Sequence, residues 1–267
     1  MRAYRVVHFK LQRWQAPAVK VYTPNAENCL HFYGRRADVS EYPDGRRLSW
    51  DSVLTGAHDV TVRRWVPDEF LLVQVVLEPG ALYSLTGIPG VELHNQYLDA
   101  ESLFGTGVRR TTERIADALG YAEMVRHADD FIRECLARRK PARSVLRPLR
   151  ALRDDPTATV ESMADASAMS LRQFERVCLE RTGLGPKEFA CLSRFDRAFH
   201  GKLQHPDLDW LSIALACGYH DYQHMAREFR GFTGMTPPRL LETQRSAPET
   251  LLGVRQEFDL TYSLSDS

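Results

Sequence analysis

Two segments of the chain carry arginine and glutamine at matching places. SLRQFERVCLERTG runs from Ser170 to Gly183, and DYQHMAREFRGFTG runs from Asp221 to Gly234. On a helix the first puts Phe174, Val177 and Cys178 on one apolar face and leaves Arg172, Gln173, Glu175 and Arg176 to project elsewhere. The second buries Met225 and Phe229 and leaves Tyr222, Gln223, His224, Ala226 and Arg227 outside. Guanidinium and carboxamide groups make paired hydrogen bonds to guanine and adenine edges in the major groove, so the chemistry these faces suit is contact with double-stranded DNA. Ser170 and Asp221 are suited to cap the two helices, with Gln173 completing a capping box for the first.

The remaining reactive side chains offer no comparable set. His220 and His224 stand at the i, i+4 spacing of a metal pair, but no glutamate follows His220 as it would in HExxH. His8, His31, His58 and His94 lack ligand spacing, and no GxSxG, Walker loop or GxGxxG after a strand occurs. Neither a catalytic set, a cofactor nor a metal is expected, and the chain reads as a non-enzyme. Cys29, Cys135, Cys178, Cys191 and Cys217 are scattered without a CxxC pair, which fits reduced, mostly buried thiols. Cys178 and Cys217 fall on helical core faces. Two rival readings exist: a DNA-repair protein that accepts an alkyl group on a cysteine, which needs a thiol activated by its surroundings, and a metal-dependent enzyme in the N-terminal half.

The elements that position the two faces come from a duplication. TGLGP, Thr182 to Pro186, returns 51 residues later as TGMTP, Thr233 to Pro237. That alignment pairs Ser170 with Asp221, Phe174 with Met225 and Arg176 with Arg227. Upstream, an offset of 50 pairs Val160 with Trp210, Met163 with Ile213, Ala164 with Ala214 and Met169 with Tyr219. Each copy reads as a short helix (VESMADAS; WLSIALAC), a tight turn, and a second helix opened by an N-cap and closed by glycine, which is helix-turn-helix punctuation. Between them PKEFACLSRFDRAFHGKL opens with Pro186 at a helix N1 position and keeps Phe189, Leu192, Phe195 and Phe199 at helical spacing. About 17 such residues make a rod of roughly 25 Å, comparable with the roughly 34 Å between successive major grooves on one DNA face. Arg194 and Arg197 on this rod are candidate phosphate contacts.

The whole chain has 267 residues, 43% hydrophobic and 26% charged, with a formal net charge of zero. That describes a globular protein long enough for two domains. There is no apolar run of membrane-spanning length, and MRAYRVVHFK lacks a signal-peptide core, so the expected compartment is the cytoplasm. From Val19 to Leu85 the segments AVKVYT, LHFYG, VTVRRWV and FLLVQVVL read as strands separated by turn residues. From Thr111 to Lys140 helical periodicity places Ile115, Leu119, Met124, Phe131, Ile132 and Leu136 on one face. The basic stretch ARRKPARS is a hinge. The expected fold is α+β with two domains. A β-rich, sensor-like domain covers 1–108 and a helical connector 109–140; the all-α double helix-turn-helix domain covers 141–247 and a tail 248–267. The connector is a candidate dimer surface that can equally pack on its own β domain. Trp14, Tyr22, Phe32, Tyr33, Trp50 and Trp65 are candidates to line an apolar effector pocket, with ordinary core as the plainer reading.

The segment from about Ala142 to Thr243 resembles the DNA-binding domain of the AraC/XylS family of transcription regulators, most closely through IALACGYHDYQHMAREFRGFTGMTP. Two departures stand out: Ala168 occupies a turn position that commonly holds glycine, and Met225 replaces the more usual phenylalanine. The region before Phe104 is similar to a β-rich domain that precedes such DNA-binding domains, through LEPGALYSLTG and VELHNQYLDAESLFG. The resemblance implies action near a promoter through contact with RNA polymerase, more often as an activator. The N-terminal domain is expected to sense an effector, for example a small molecule, and the connector helix is the surface through which a homodimer would form.

Overall fold

The computed structural model describes residues 2–10, 18–138 and 146–245. Trp14, the hinge ARRKPARS from residue 139 onward and the 248–267 tail lie outside the described residues. The N-terminal half is built on β1 (Ala3–Lys10), β2 (Ala18–Tyr22), β3 (Asn28–Tyr33), β4 (Val39–Glu41), β5 (Arg47–Leu48), β6 (Ser52–Thr55), β7 (Val62–Val66), β8 (Glu69–Leu77) and, after two short helices, β9 (Tyr97–Asp99). They form two antiparallel sheets, ordered β1-β8-β3-β6-β9 and β2-β7-β4-β5. The observed fold is thus α+β, as expected.

β8 explains why this half needs both a second sheet and a cover of helices. Its alternate residues Leu71, Val73, Val75 and Leu77 join a core with Leu30 and Phe32 of β3, while Phe70 and Leu72 join Tyr33, Val62 and Val66 between the sheets. A strand buried on both faces loses the polar alternation and reads as the continuous run FLLVQVVL. Gln74 interrupts that run, and its carboxamide donates to His31 Nε2 at 3.2 Å. The intersheet layer holds further polar groups. Arg64 is fully enclosed, with Asp38 at 3.4 Å, the Tyr97 hydroxyl as a hydrogen-bond partner and the Tyr22 ring 3.8 Å from its guanidinium carbon. Of the aromatic residues read as pocket candidates, Tyr33 belongs to the intersheet cluster with Tyr22 and Trp50 packed against it, while Phe32 lies in the core under the helices and meets the Phe131 ring edge-on.

Helices α1 (Ala81–Thr86) and α2 (Gly90–Leu93) sit between β8 and β9; α3 (Ala100–Phe104), α4 (Thr106–Asp117) and α5 (Tyr121–Ala137) follow. Val108, Ile115, Met124, Val125, Ala128, Phe131 and Ile132 cover the outer face of the larger sheet. The connector therefore packs on its own β domain. Leu119, expected on the apolar face, is fully exposed, and Leu136 is largely so. Ala118 leaves the helix with extended backbone and Gly120 restarts it, so the periodicity breaks at Leu119. Among the described residues no helix is long and apolar enough to cross a membrane.

The C-terminal half contains α6 (Leu146–Asp154), α7 (Val160–Ala166), α8 (Leu171–Thr182), α9 (Pro186–Gln204), α10 (Trp210–Ala216), α11 (Tyr222–Thr233) and α12 (Pro237–Arg245). At 19 residues, α9 is roughly 28 Å long. One apolar cluster runs through Leu149, Phe174, Leu192, Phe195, Phe229 and Leu240, and it also takes in Ala26 and Ala57 from the β half. The halves are joined by more than this. Glu78, just past β8, pairs with Arg150 at 3.0 Å and Arg153 at 3.2 Å on α6. The Arg181 guanidinium lies 3.9 Å from the centre of the Tyr83 ring, and Gln244 on α12 donates to the Val21 carbonyl. Gly90 and Gly183 meet backbone to backbone: a Cβ on Gly90 would lie 2.2 Å from the Gly183 nitrogen, and one on Gly183 2.5 Å from the Gly90 oxygen.

Two outcomes follow from this packing. Gly90→Ala forces the two halves apart at a contact made of main chain on both sides. It should lower stability by about 1 to 3 kcal/mol, measured by urea unfolding. His58 is buried, with Nδ1 donating to the Gly56 carbonyl at 2.7 Å and Nε2 accepting from the Tyr42 hydroxyl at 3.1 Å, which describes the neutral ring. Burial lowers its pKa from 6.5 to about 4. A group depressed in this way binds its proton more readily in the unfolded chain, so its stability contribution is full above 6.5 and is lost as pH falls toward 4. Unfolding free energy should drop across that window, and His58→Gln should flatten the drop by about one proton's worth of slope.

Candidate nucleic-acid interface

The two helix-turn-helix units match hydrogen bond by hydrogen bond. In the first, Ser167 N donates to the Met163 and Ala164 carbonyls, Ala168 N to Asp165 and Met169 N to Ala164. In the second, Cys217 N donates to Ile213 and Ala214, Gly218 N to Leu215 and Tyr219 N to Ala214, each bond displaced by 50 positions. His220, exposed between Tyr219 and Asp221, is the one extra residue that moves the offset to 51. Each second helix then opens on a side-chain cap. Ser170 Oγ accepts from Gln173 N while Gln173 Oε1 accepts from Ser170 N, a complete capping box. Asp221 accepts from His224 N at 2.7 Å, a bond that holds its carboxyl below the usual range.

The repeated TGxxP is a stop signal with two parts. Thr182 donates through Oγ1 to the Cys178 carbonyl and accepts from Leu184 N; Thr233 does the same with Phe229 and Met235 N. Gly183 and Gly234 take the left-handed conformation at φ 85° and 70° and donate back to Leu179 and Arg230. Pro186 and Pro237 then open α9 and α12. Only a residue without Cβ adopts that cap at no steric cost, and proline suits the first turn because its missing N–H has no intrahelical partner there.

These supports leave a defined set of side chains facing outward. On α8, Arg172, Gln173, Glu175 and Arg176 are exposed, while Phe174 and Cys178 are wholly buried and Val177 packs beside them. Ser170, Arg172, Gln173 and Arg176 line an open groove of about 590 Å³. On α11, Gln223 and Arg227 are exposed. Tyr222 is half-buried against the core, and His224 packs edge-on to the Tyr219 ring. Ala226, read from the sequence as outward, is buried together with Met225, because a small side chain lets this side of the helix close on its neighbours.

Arg194 and Arg197, the candidate phosphate contacts, are half-buried on α9 and each has partners within the protein. Arg194 is engaged by Glu228 of α11, and Arg197 by the main-chain carbonyls of Arg153 and Cys217. His220 and His224 have separate partners: His220 is exposed with Nδ1 3.5 Å from the Asp221 carboxylate, and His224 Nε2 lies 3.3 Å from Glu228.

Comparison with known proteins places this geometry. A family model described as a helix-turn-helix domain matches residues 163–243. The segment is 36% identical over 77 residues to the HTH-type transcriptional activator RhaS of Escherichia fergusonii, and 37% identical over 70 residues to RhaS of Citrobacter koseri. Residues 163–243 form an AraC/XylS-type helix-turn-helix domain. The RhaS matches cover 29% and 26% of this chain and only 27% and 25% of those relatives, so they concern this domain alone. Across both halves, the fold is similar to ToxT from Vibrio cholerae, with a TM-score of 0.50 over 91% of this chain and 98% of that one at 9% identity.

Against this AraC/XylS-type geometry, Ala168 is the outlier. It holds φ 52°, the same left-handed state as its counterpart Gly218 at φ 83°. That state costs an L-residue roughly 1 to 2 kcal/mol, and glycine's larger unfolded-chain entropy offsets roughly 0.4 to 1 kcal/mol of what replacement would recover. The side chain is exposed, so no packing is lost. Ala168→Gly should therefore stabilise the protein by up to about 1 kcal/mol, read as a raised melting temperature. Gly218→Ala should do the opposite, since its Cβ would lie 2.8 Å from Pro156 Cβ.

Proposed function

We propose that the protein is a sequence-specific, DNA-binding transcription regulator acting as an activator, with α8 and α11 each entering a major groove of double-stranded DNA. The observation that carries this reading is the pair of matched, outward arginines, Arg176 and Arg227, on helices whose preceding turns repeat bond for bond. Arg172, Gln173, Glu175 and Gln223 share those faces, and Tyr222 and His224 lie at their edge. The RhaS relatives are transcriptional activators, which supports a promoter-proximal role with RNA polymerase as partner.

The division of labour we propose follows the layout 1–108, 109–140 and 141–247, with the β half sensing and the helical half reading DNA in the cytoplasm. One ToxT structure holds an unsaturated fatty acid, which supports a small-molecule effector for the β half here. Against the alkyl-accepting alternative, four of the five cysteines carry thiols that burial makes harder to ionise. Burial pushes Cys29 and Cys178 up to about 12, and Cys191 and Cys217 also titrate above the ordinary thiol value for the same reason.

Selection of preferred sites from random duplexes tests the reading. Arg176→Ala and Arg227→Ala should each cost about 1 to 3 kcal/mol on the wild-type site and relax preference at different base positions, about one helical turn of DNA apart. A wild-type chain that enriches no motif would sink the proposal.

A further inference from the structure

The linker helix α9 carries Arg194 and Arg197 one turn apart, and both reach toward the second helix-turn-helix unit. Arg194 pairs with the Glu228 carboxylate on α11, and its guanidinium carbon lies 4.6 Å from the centre of the Tyr219 ring in the turn. Arg197 Nη1 donates to the Arg153 carbonyl at 2.8 Å, and Nη2 donates to the Cys217 carbonyl at 3.4 Å. Cys217 closes α10, Tyr219 lies in the turn and Glu228 is midway along α11. The two arginines thus hold the second unit before, within and after its turn. The first unit is secured differently, by Gly90 and Tyr83 of the β half against the end of α8.

A planar guanidinium has five N–H donors in a fixed fork, so Arg197 can tie two carbonyls from different elements at once; a lysine ammonium on its flexible stem has no such geometry. Arg153, whose carbonyl takes one arm, belongs to α6 and itself pairs with Glu78. The fork therefore links the packing of the first unit to the turn of the second. Base-reading side chains depend on such supporting contacts, because small displacements of the helix that carries them take their donors out of reach of base edges.

We propose that Arg194 and Arg197 are positioning residues that set the angle of α11 relative to α8, and with it the spacing between the two sets of base positions the protein prefers. This rests on the DNA-binding reading above and assigns these arginines away from the phosphate backbone. The test uses the full chain, with Arg197→Lys, Arg197→Ala and Arg194→Lys compared with the wild type. Site selection from random duplexes is combined with affinities at several salt concentrations, and thermal melts establish that each variant is folded.

The wild type should enrich a two-part motif. Arg197→Lys should keep the part read by α8 and blur or shift the part read by α11. It should bind the full site roughly tenfold more weakly, bind a duplex bearing only the first part as the wild type does, and leave the salt slope unchanged. Arg194→Lys should blur the same part. A phosphate contact predicts the reverse: lysine substitutes adequately, and alanine weakens all sequences alike while lowering the salt slope by about one. That result overturns the proposal, and so do motifs unchanged in all three variants. Failure of the wild type to enrich any motif instead removes the DNA-binding reading, and this inference with it.

Discussion

One helix has to satisfy two helix-turn-helix units, and that constraint organises the C-terminal half. Phe189, Leu192, Phe195, Ala198 and Phe199 of α9 are all buried. The Phe195 ring lies 4.6 Å from Phe229 and 5.2 Å from Phe232 of the second unit, while α8 of the first packs along the same helix. Each such aromatic burial contributes about 1.5 to 3 kcal/mol, against at most about 1 kcal/mol for a surface ion pair. Apolar packing therefore decides that the units stay together. The half-buried arginines on the remaining face of α9 select among the orientations that packing allows.

The β half answers a different constraint. A strand buried on both faces, β8, requires a layer on each side, and the chain supplies the smaller sheet to one and α4 with α5 to the other. The polar residues named in the intersheet layer each find partners there: Arg64 with Asp38 and Tyr97, His31 with Gln74, and His58 with Tyr42 and Gly56. Isolated buried groups of this kind would cost several kcal/mol each.

Much of this was legible where local chemistry dictates local structure. TGLGP and TGMTP announce their helix ends because a threonine that bonds back into the helix, a glycine that turns left and a proline that starts again are all close in sequence. FLLVQVVL and LHFYG announce strands by composition. β1 and β9 were not read as strands: AYRVVHFK shows no clean alternation, and YLD is too short to carry a period. Leu119 was misassigned because periodicity counts apolar residues without registering that the helix has ended. The intramolecular partners of Arg194 and Arg197 carry no local signature in the sequence. Glu228 is 34 residues away, and a main-chain carbonyl has no residue type at all. Ala226 was misread for a related reason, since alanine is equally at home on either face.

The meeting of Gly90 with Gly183 bears on how such proteins can be recombined. A two-domain chain suggests interchangeable parts, a sensing module grafted at will onto a reading module. At this one point of the seam main chain meets main chain, and a Cβ on either glycine would collide with the other's backbone. A chimaera assembled at the hinge would inherit both modules and lose their fit unless the incoming module also carried a glycine where its counterpart of α8 ends, presented at the same height. The unit that can be exchanged between regulators is therefore the reading module together with the short α1 and α2 turns that seat it, rather than the module that a boundary drawn through the hinge would cut out.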